Sequence, residues 1–195
     1  MSELAHSLPR PSGSRRLVLA MALAATLAAL TTLAIVKLTS GDGGAHKTSA
    51  ARVYTAPGHA FAVAYPAGWQ AVSGARLRGV QGAPALVLRS ADRRAMIVVR
   101  PSAAQANEPL SKLAAALSAE LKRRFADFKP VAARVAPTRG GPAFLYTFAR
   151  TRAGLVQSIM VTRVHGRTWS LYAVTPAGQP ATARVAGAIL GTFGQ

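Results

Sequence analysis

The chain has 195 residues, half of them apolar, enough for one domain with its own core plus accessory segments. It contains no cysteine, which excludes disulfides, thiolate catalysis, cysteine-ligated zinc and cysteine lipidation. Its 24 Lys and Arg against 6 Asp and Glu give a net charge of +18. Arginine dominates against a background rich in alanine and glycine, so part of this excess reads as compositional bias and the rest as a real electrostatic property.

Residues 1–16 are expected to form a short cytoplasmic tail. Leu17 to Val36 is an unbroken run of 20 residues without charge, Gly or Pro. As a helix it would be about 30 Å long, which matches the hydrocarbon core of a bilayer. Thr26, Thr31 and Thr32 can bond back to helix carbonyls, and the polar stripe of a buried soluble helix is missing. The run predicts a transmembrane helix over residues 17–38. A cleaved signal peptide competes, since Arg10, Arg15 and Arg16 fit either reading. Its apolar region is usually about 7–15 residues, followed by a small-x-small site. Here the run is longer and ends in Ile35, Val36, Lys37 and Leu38, with no cysteine for a lipoprotein signal. Three arginines ahead of the span, against Lys37 and Lys47 after it, place the N-terminus in the cytoplasm and the rest outside. Residues 39–52, rich in Gly, Ser and Thr, read as a flexible linker. Residues 53–195 are left as the folded domain, with no repeat of fixed period.

Within that domain Val53 to Thr55 is β-prone, and Pro57-Gly58 signals a turn. Phe61 to Tyr65 alternates large and small side chains as a strand with one packed face does. Leu86 to Arg89 and Ala95 to Arg100 predict a hairpin around the polar turn Ser90 to Arg94. Leu110, Leu113, Leu117, Leu121, Phe125 and Phe128 recur at three- and four-residue steps, predicting a helix over 110–128. Asn107 is its candidate cap, Pro109 fits its first turn and Pro130 stops it. Three strands follow at 143–149, 155–164 and 168–174, joined by short turns at Arg152-Ala153-Gly154 and His165-Gly166-Arg167, an antiparallel meander. A closing helix over 180–193 turns Val185, Ile189 and Phe193 inward, weakened by Gly187 and Gly191. The pattern predicts an α+β domain, an antiparallel β-sheet covered by helices.

This order, together with five local sequences, resembles the PsbP-like fold, also called Mog-like after a nuclear-transport factor. Phe61 to Trp69 matches its strand ending in tyrosine-proline-x-glycine-tryptophan. Gly140-Gly141-Pro142-Ala143 matches its step into a strand, and Val156-Gln157 its long Gln-bearing strand. Trp169 to Tyr172 matches its Trp-Ser-Leu-Tyr strand, and Thr192-Phe193 its final pair. The resemblance covers roughly residues 53–193. It implies a binding or assembly factor of the kind found behind signal peptides, lipoprotein anchors or single membrane helices in bacteria. It brings no catalytic residues to carry over, and the fold alone does not give the function.

The chemistry-bearing residues of the domain are few. His59, His165, Asp92, Glu108, Glu120 and Asp127 are its histidines and acids. A triad could be drawn from His165, Asp92 and a serine, but no nucleophile elbow supports it, and two turn histidines with four solvated acids is the plainer reading. No metal-ligand spacing is present and no cofactor is implied. Tyr65 and Trp69 are candidates for a ligand cleft, or else an aromatic anchor for the first strand. From Arg52 onward there are 19 Lys and Arg against 4 Asp and Glu. Arg76 with Arg78, Arg93 with Arg94, and Lys122 with Arg123 and Arg124 are candidate contacts for anionic lipid or an envelope polymer; the alternative is a solvated arginine-rich face. Basic residues are not interleaved with aromatics, which argues against nucleic acid. The leading expectation is a membrane-tethered, extracytoplasmic binding or assembly module without catalytic activity, whose partner is an envelope protein or the membrane surface. A polyanion- or lipid-binding domain is the alternative, and a hydrolase, lacking an activated nucleophile, the third.

Overall fold

A computed structural model of the chain describes residues 51–72, 84–102 and 109–194. The expected span at 17–38, Arg76, Arg78, the Asn107 cap and Glu108 lie outside them. Among the described residues no helix is long and apolar enough to cross a membrane. The elements are β1 (Ala51–Thr55), β2 (Ala62–Pro66), β3 (Trp69–Val72), β4 (Leu86–Ser90), β5 (Met96–Pro101), α1 (Leu110–Arg124), β6 (Phe128–Thr138), β7 (Gly141–Arg150), β8 (Leu155–Val164), β9 (Arg167–Pro176) and α2 (Pro180–Gly191).

β3 to β9 form one seven-stranded sheet in the order β3-β4-β5-β9-β8-β7-β6, antiparallel at every pairing. Alternation along each strand sends side chains to two separate cores. On β5, Ile97 and Val99 join Trp169, Leu171, Met160 and Phe193 under α2. Met96 and Val98 join Phe144, Tyr146, Phe148, Ile159 and Leu121 under α1. The α2 face is shared with β1 and β2, which pair only with each other as a two-stranded sheet. The meander of three strands is as the spacing predicts, and its β8–β9 turn uses His165 and Gly166 at φ 50° and 70°. Two left-handed residues in succession are what a tight two-residue hairpin requires.

Several expectations shift. β1 begins at Ala51, inside the stretch expected as linker. α1 stops at Arg124: Phe125 has extended backbone and Phe128 opens a strand. Leu117, Leu121 and Phe125 are buried as predicted, but the helix ends well ahead of Pro130, so that proline is not what stops it. The eleven-residue β6 was not predicted. It is an edge strand, exposed along most of its length, and holds Pro130 and Pro137, which only an edge tolerates. The four-residue β3 was also missed. Phe193 points inward as expected but lies beyond the end of α2.

Residues 192–194 clasp the fold. Gly194 and Ala62 exchange backbone hydrogen bonds of 3.0 and 2.6 Å, the Gly140 N–H donates to the Phe193 carbonyl at 3.1 Å, and the Ala64 N–H donates to Thr192 Oγ1 at 2.9 Å. The Phe193 ring stacks on Phe61, 5.0 Å between centroids, and Phe61 meets Trp169 at 4.8 Å. Backbone lies directly on backbone here. A Cβ on Gly194 would fall on the Gly140 amide, and one on Gly140 would come within 2.7 Å of Val164 Cγ2. A second lock holds the α1–β6 corner. Arg150 Nε donates to Asp127 Oδ1 at 2.6 Å, its guanidinium lies 3.9 Å over the Phe125 ring, and the Arg152 N–H donates to Asp127 Oδ2 at 3.1 Å. Burial raises the Asp127 carboxyl, but the hydrogen bond and charge of Arg150, with the backbone amides, outweigh it and hold the group below its ordinary range.

Two predictions follow from these locks. Gly140→Ala lowers stability by about 1–3 kcal/mol in urea unfolding. Because Val164→Ala removes the methyl it strikes, the loss in the double variant is smaller than the sum of the two single losses. Asp127→Asn lowers stability at pH 7. A depressed carboxyl contributes stability that is fully present above its unfolded value of about 3.9 and is lost as pH falls through the folded value, so the gap between wild type and variant narrows below about pH 4.

Candidate functional site

A groove of about 640 Å³ opens between α2 and the sheet, within the size range of ligand pockets. It exists because both walls are built from small side chains. Ala183, Ala186, Gly187 and Gly191 face it from α2, and Ala136, Thr147, Ser158, Ala173 and Thr175 from the strands. Just beyond the C-terminus of α2, by contrast, Phe193 packs on Phe61 and Trp169 and fills the space. Met160 and Leu190 give the groove a buried apolar floor. Thr147 and Ser158 are register partners on β7 and β8 and share one hydrogen bond of 3.0 Å. A single bond between two hydroxyls leaves one proton and further lone pairs available. Arg134 of β6 and Arg184 of α2 also line the groove, both exposed at its lip. Neither has an acidic partner among the described residues, whose acids are Asp92, Glu120 and Asp127.

Tyr65 and Trp69 are elsewhere. They are 9% and 4% exposed and belong to the core under α2 and the β1–β2 hairpin, so they serve there as the aromatic anchor of the first strands and line no part of the groove. Of the basic clusters, Arg93 and Arg94 lie in the β4–β5 turn, Arg93 at φ 59°. Asp92 Oδ1 stabilises that turn by accepting from Ser90 Oγ at 2.6 Å and from the Arg94 N–H at 3.0 Å. Lys122, Arg123 and Arg124 are exposed on the last turn of α1, where cations complement the helix dipole, and Arg123 is paired with Glu120 at 2.6 Å. Strand register separates His165 from Asp92: they lie at opposite ends of the sheet, roughly 25 Å apart along β9. The triad drawn from sequence is therefore not assembled. Among the described residues no three His, Asp or Glu come together as metal ligands. Tyr172 is buried, which holds its phenol well above the usual range and makes it a core residue rather than an acid or base at neutral pH.

The groove residues were missed in the sequence. Their signal was present as small and hydroxyl residues at alternate positions of the strands, and as Gly187 and Gly191 four apart on α2. It reads as weak secondary structure until the elements are packed together.

No family model matches the chain, and no curated protein matches its sequence. Solved structures do resemble it. The Saccharomyces cerevisiae Ran-binding protein Mog1p superposes at a TM-score of 0.50 with 11% identity, over 74% of this chain and 95% of that one. Cyanobacterial PsbP (CyanoP) from Synechocystis sp. PCC 6803 gives 0.47 and 14%, over 79% and 96%. LpqN, involved in cell envelope biogenesis of Mycobacterium tuberculosis, gives 0.46 and 13%, over 75% and 86%. At such identities only the fold is shared. With a mostly antiparallel sheet, two covering helices and the Mog1p superposition, the described domain has the PsbP/Mog1-like fold.

Proposed function

We propose that the chain is a non-catalytic binding module, held at a membrane by residues 17–38 with its domain outside the cytoplasm, and that the α2 groove receives an anionic amphiphile. The observation that carries this reading is the combination, in one groove, of an apolar floor and two lip guanidiniums without acidic partners. The apolar body of such a ligand lies on Met160 and Leu190, where burial contributes about 25 cal/mol per Å². A carboxylate or phosphate reaches Arg134 and Arg184, which can each bind it through two parallel N–H donors. Support for the tether comes from the 20-residue apolar run at 17–36 and the arginines ahead of it.

A fluorescent fatty acid is the probe, titrated against the full chain in nanodiscs, with its uncharged methyl ester as control. Arg134→Gln and Arg184→Gln each weaken the acid by about tenfold or more and leave the ester unchanged. Gly187→Leu separates binding from folding. Gly187 lines the groove, and no atom lies within 4 Å of a Cβ placed there, so a side chain is accepted without a backbone clash. Losing a helical glycine stabilises α2 by up to about 1 kcal/mol, so this variant is at least as stable as wild type while binding neither probe. Equal binding to Gly187→Leu sinks the groove reading. The tether is read separately by N-terminal sequencing of membrane-extracted protein, and a mature start beyond about residue 35 on soluble protein overturns it.

A further inference from the structure

We infer that the end of the sheet bearing Arg93, Arg94 and the last turn of α1 is a docking surface for anionic lipid head groups of the membrane to which the chain is tethered. The inference rests on the tether reading for its source of lipid, and on strand register for its geometry. Pairing of Met96 with Val174, Leu155 with Pro176 and Phe128 with Arg150 brings the β4–β5 turn, the β7–β8 turn and the α1–β6 corner to one end. Ala51 is at the same end. It pairs with Pro66, which leads through Gly68 to Trp69, opposite Ser90, and the Ala91 N–H donates to the Gly68 carbonyl at 2.8 Å. The first 50 residues therefore join the domain where Arg52, Arg93, Arg94, Lys122, Arg124 and Arg152 are displayed, Arg94 half-buried and the others exposed.

A count of charge alone does not select this end, because Arg139, Arg163 and Arg167 lie at the other. The point of chain entry does. The chain enters here, so this is the end that a short tether holds near head groups. All three described acids lie at this end, but each is engaged within its own element or corner: Asp92 by its turn, Glu120 by Arg123 and Asp127 by Arg150. None is left over for the remaining cations. Attraction of such a surface to anionic lipid acts within a Debye length of about 8 Å at physiological salt, so it operates only when this end faces the bilayer.

The absence of cysteine makes the test direct. Ala91→Cys marks the near end and His165→Cys the far end, both at exposed positions. Each full-length variant carries a fluorophore and is reconstituted into vesicles containing a head-group quencher. In neutral vesicles the two labels differ only by the reach of the tether. With anionic phosphatidylglycerol added, quenching at Ala91→Cys rises well above that baseline while His165→Cys does not, and high salt reverses the change. Replacing Arg93, Arg94, Lys122 and Arg124 by Ser lowers the docked-to-undocked ratio by roughly a hundredfold or more. Arg139→Ser with Arg167→Ser leaves the ratio unchanged, while the charge-matched near-end pair Arg93→Ser with Arg94→Ser lowers it by roughly tenfold or more. Equal asymmetry in neutral and anionic vesicles, or an equal effect of the far-end pair, overturns the docking surface. Flotation on neutral vesicles reads the tether alone. A chain that fails to float there overturns the tether, and the same two labels, with anionic vesicles added to that soluble chain, still decide which end binds lipid.

Discussion

The fold depends on a place where two backbones touch with no side chain between them. Gly194 lies on Gly140, and the amides on either side hydrogen-bond across the contact. Among the described residues β2 pairs with β1 and with Gly194 but with no strand of the large sheet. The clasp sets where Phe61 stacks, and with it the side of the sheet that the hairpin covers. The direction of β2 then fixes where Ala51 emerges. A steric requirement for two glycines at one end of the molecule thus determines the position of the polypeptide's entry at the other.

The α2 side of the sheet is divided between two uses. At one end three aromatic rings fill it, and the packing there is that of a protein interior. At the other end alanines, glycines and short hydroxyl residues leave it open. Filling that space with larger apolar side chains would add burial, and Gly187 has room for one. A groove kept open at a cost in stability is a common mark of a site that serves a ligand.

Much of this was legible in the sequence. Leu117, Leu121 and Phe125 repeat at helical spacing because they share one face of one element, and the β7–β9 meander shows because its turns are short and its faces alternate cleanly. β6 was not legible. An edge strand has one paired side and little burial, so Pro130, Pro137 and exposed Val131 and Val135 are acceptable there and erase the pattern. Tyr65 and Trp69 stand out in the sequence as candidates for a cleft or an anchor, and only packing shows that they are core. The groove was illegible for a different reason: it is an absence of bulk shared by five elements, and no single segment carries it. The basic residues were visible as clusters along the chain, but their gathering at one end follows from register, which joins positions as far apart as 94 and 152.

Because the clasp links Ala64 to Thr192, 128 positions apart, the hairpin made first is the one fixed last. β6 to β9 can assemble from neighbours joined by tight turns, while β1 and β2 gain their place only once residues 192–194 exist to hold them. Contacts so distant in sequence form slowly, since the entropy of closing the intervening chain is lost before they contribute. During synthesis Phe61 lacks its stacking partner Phe193 until residues 192–194 arrive. Arrival of residues 192–194, rather than growth of the sheet, is then the event that seals the clasp.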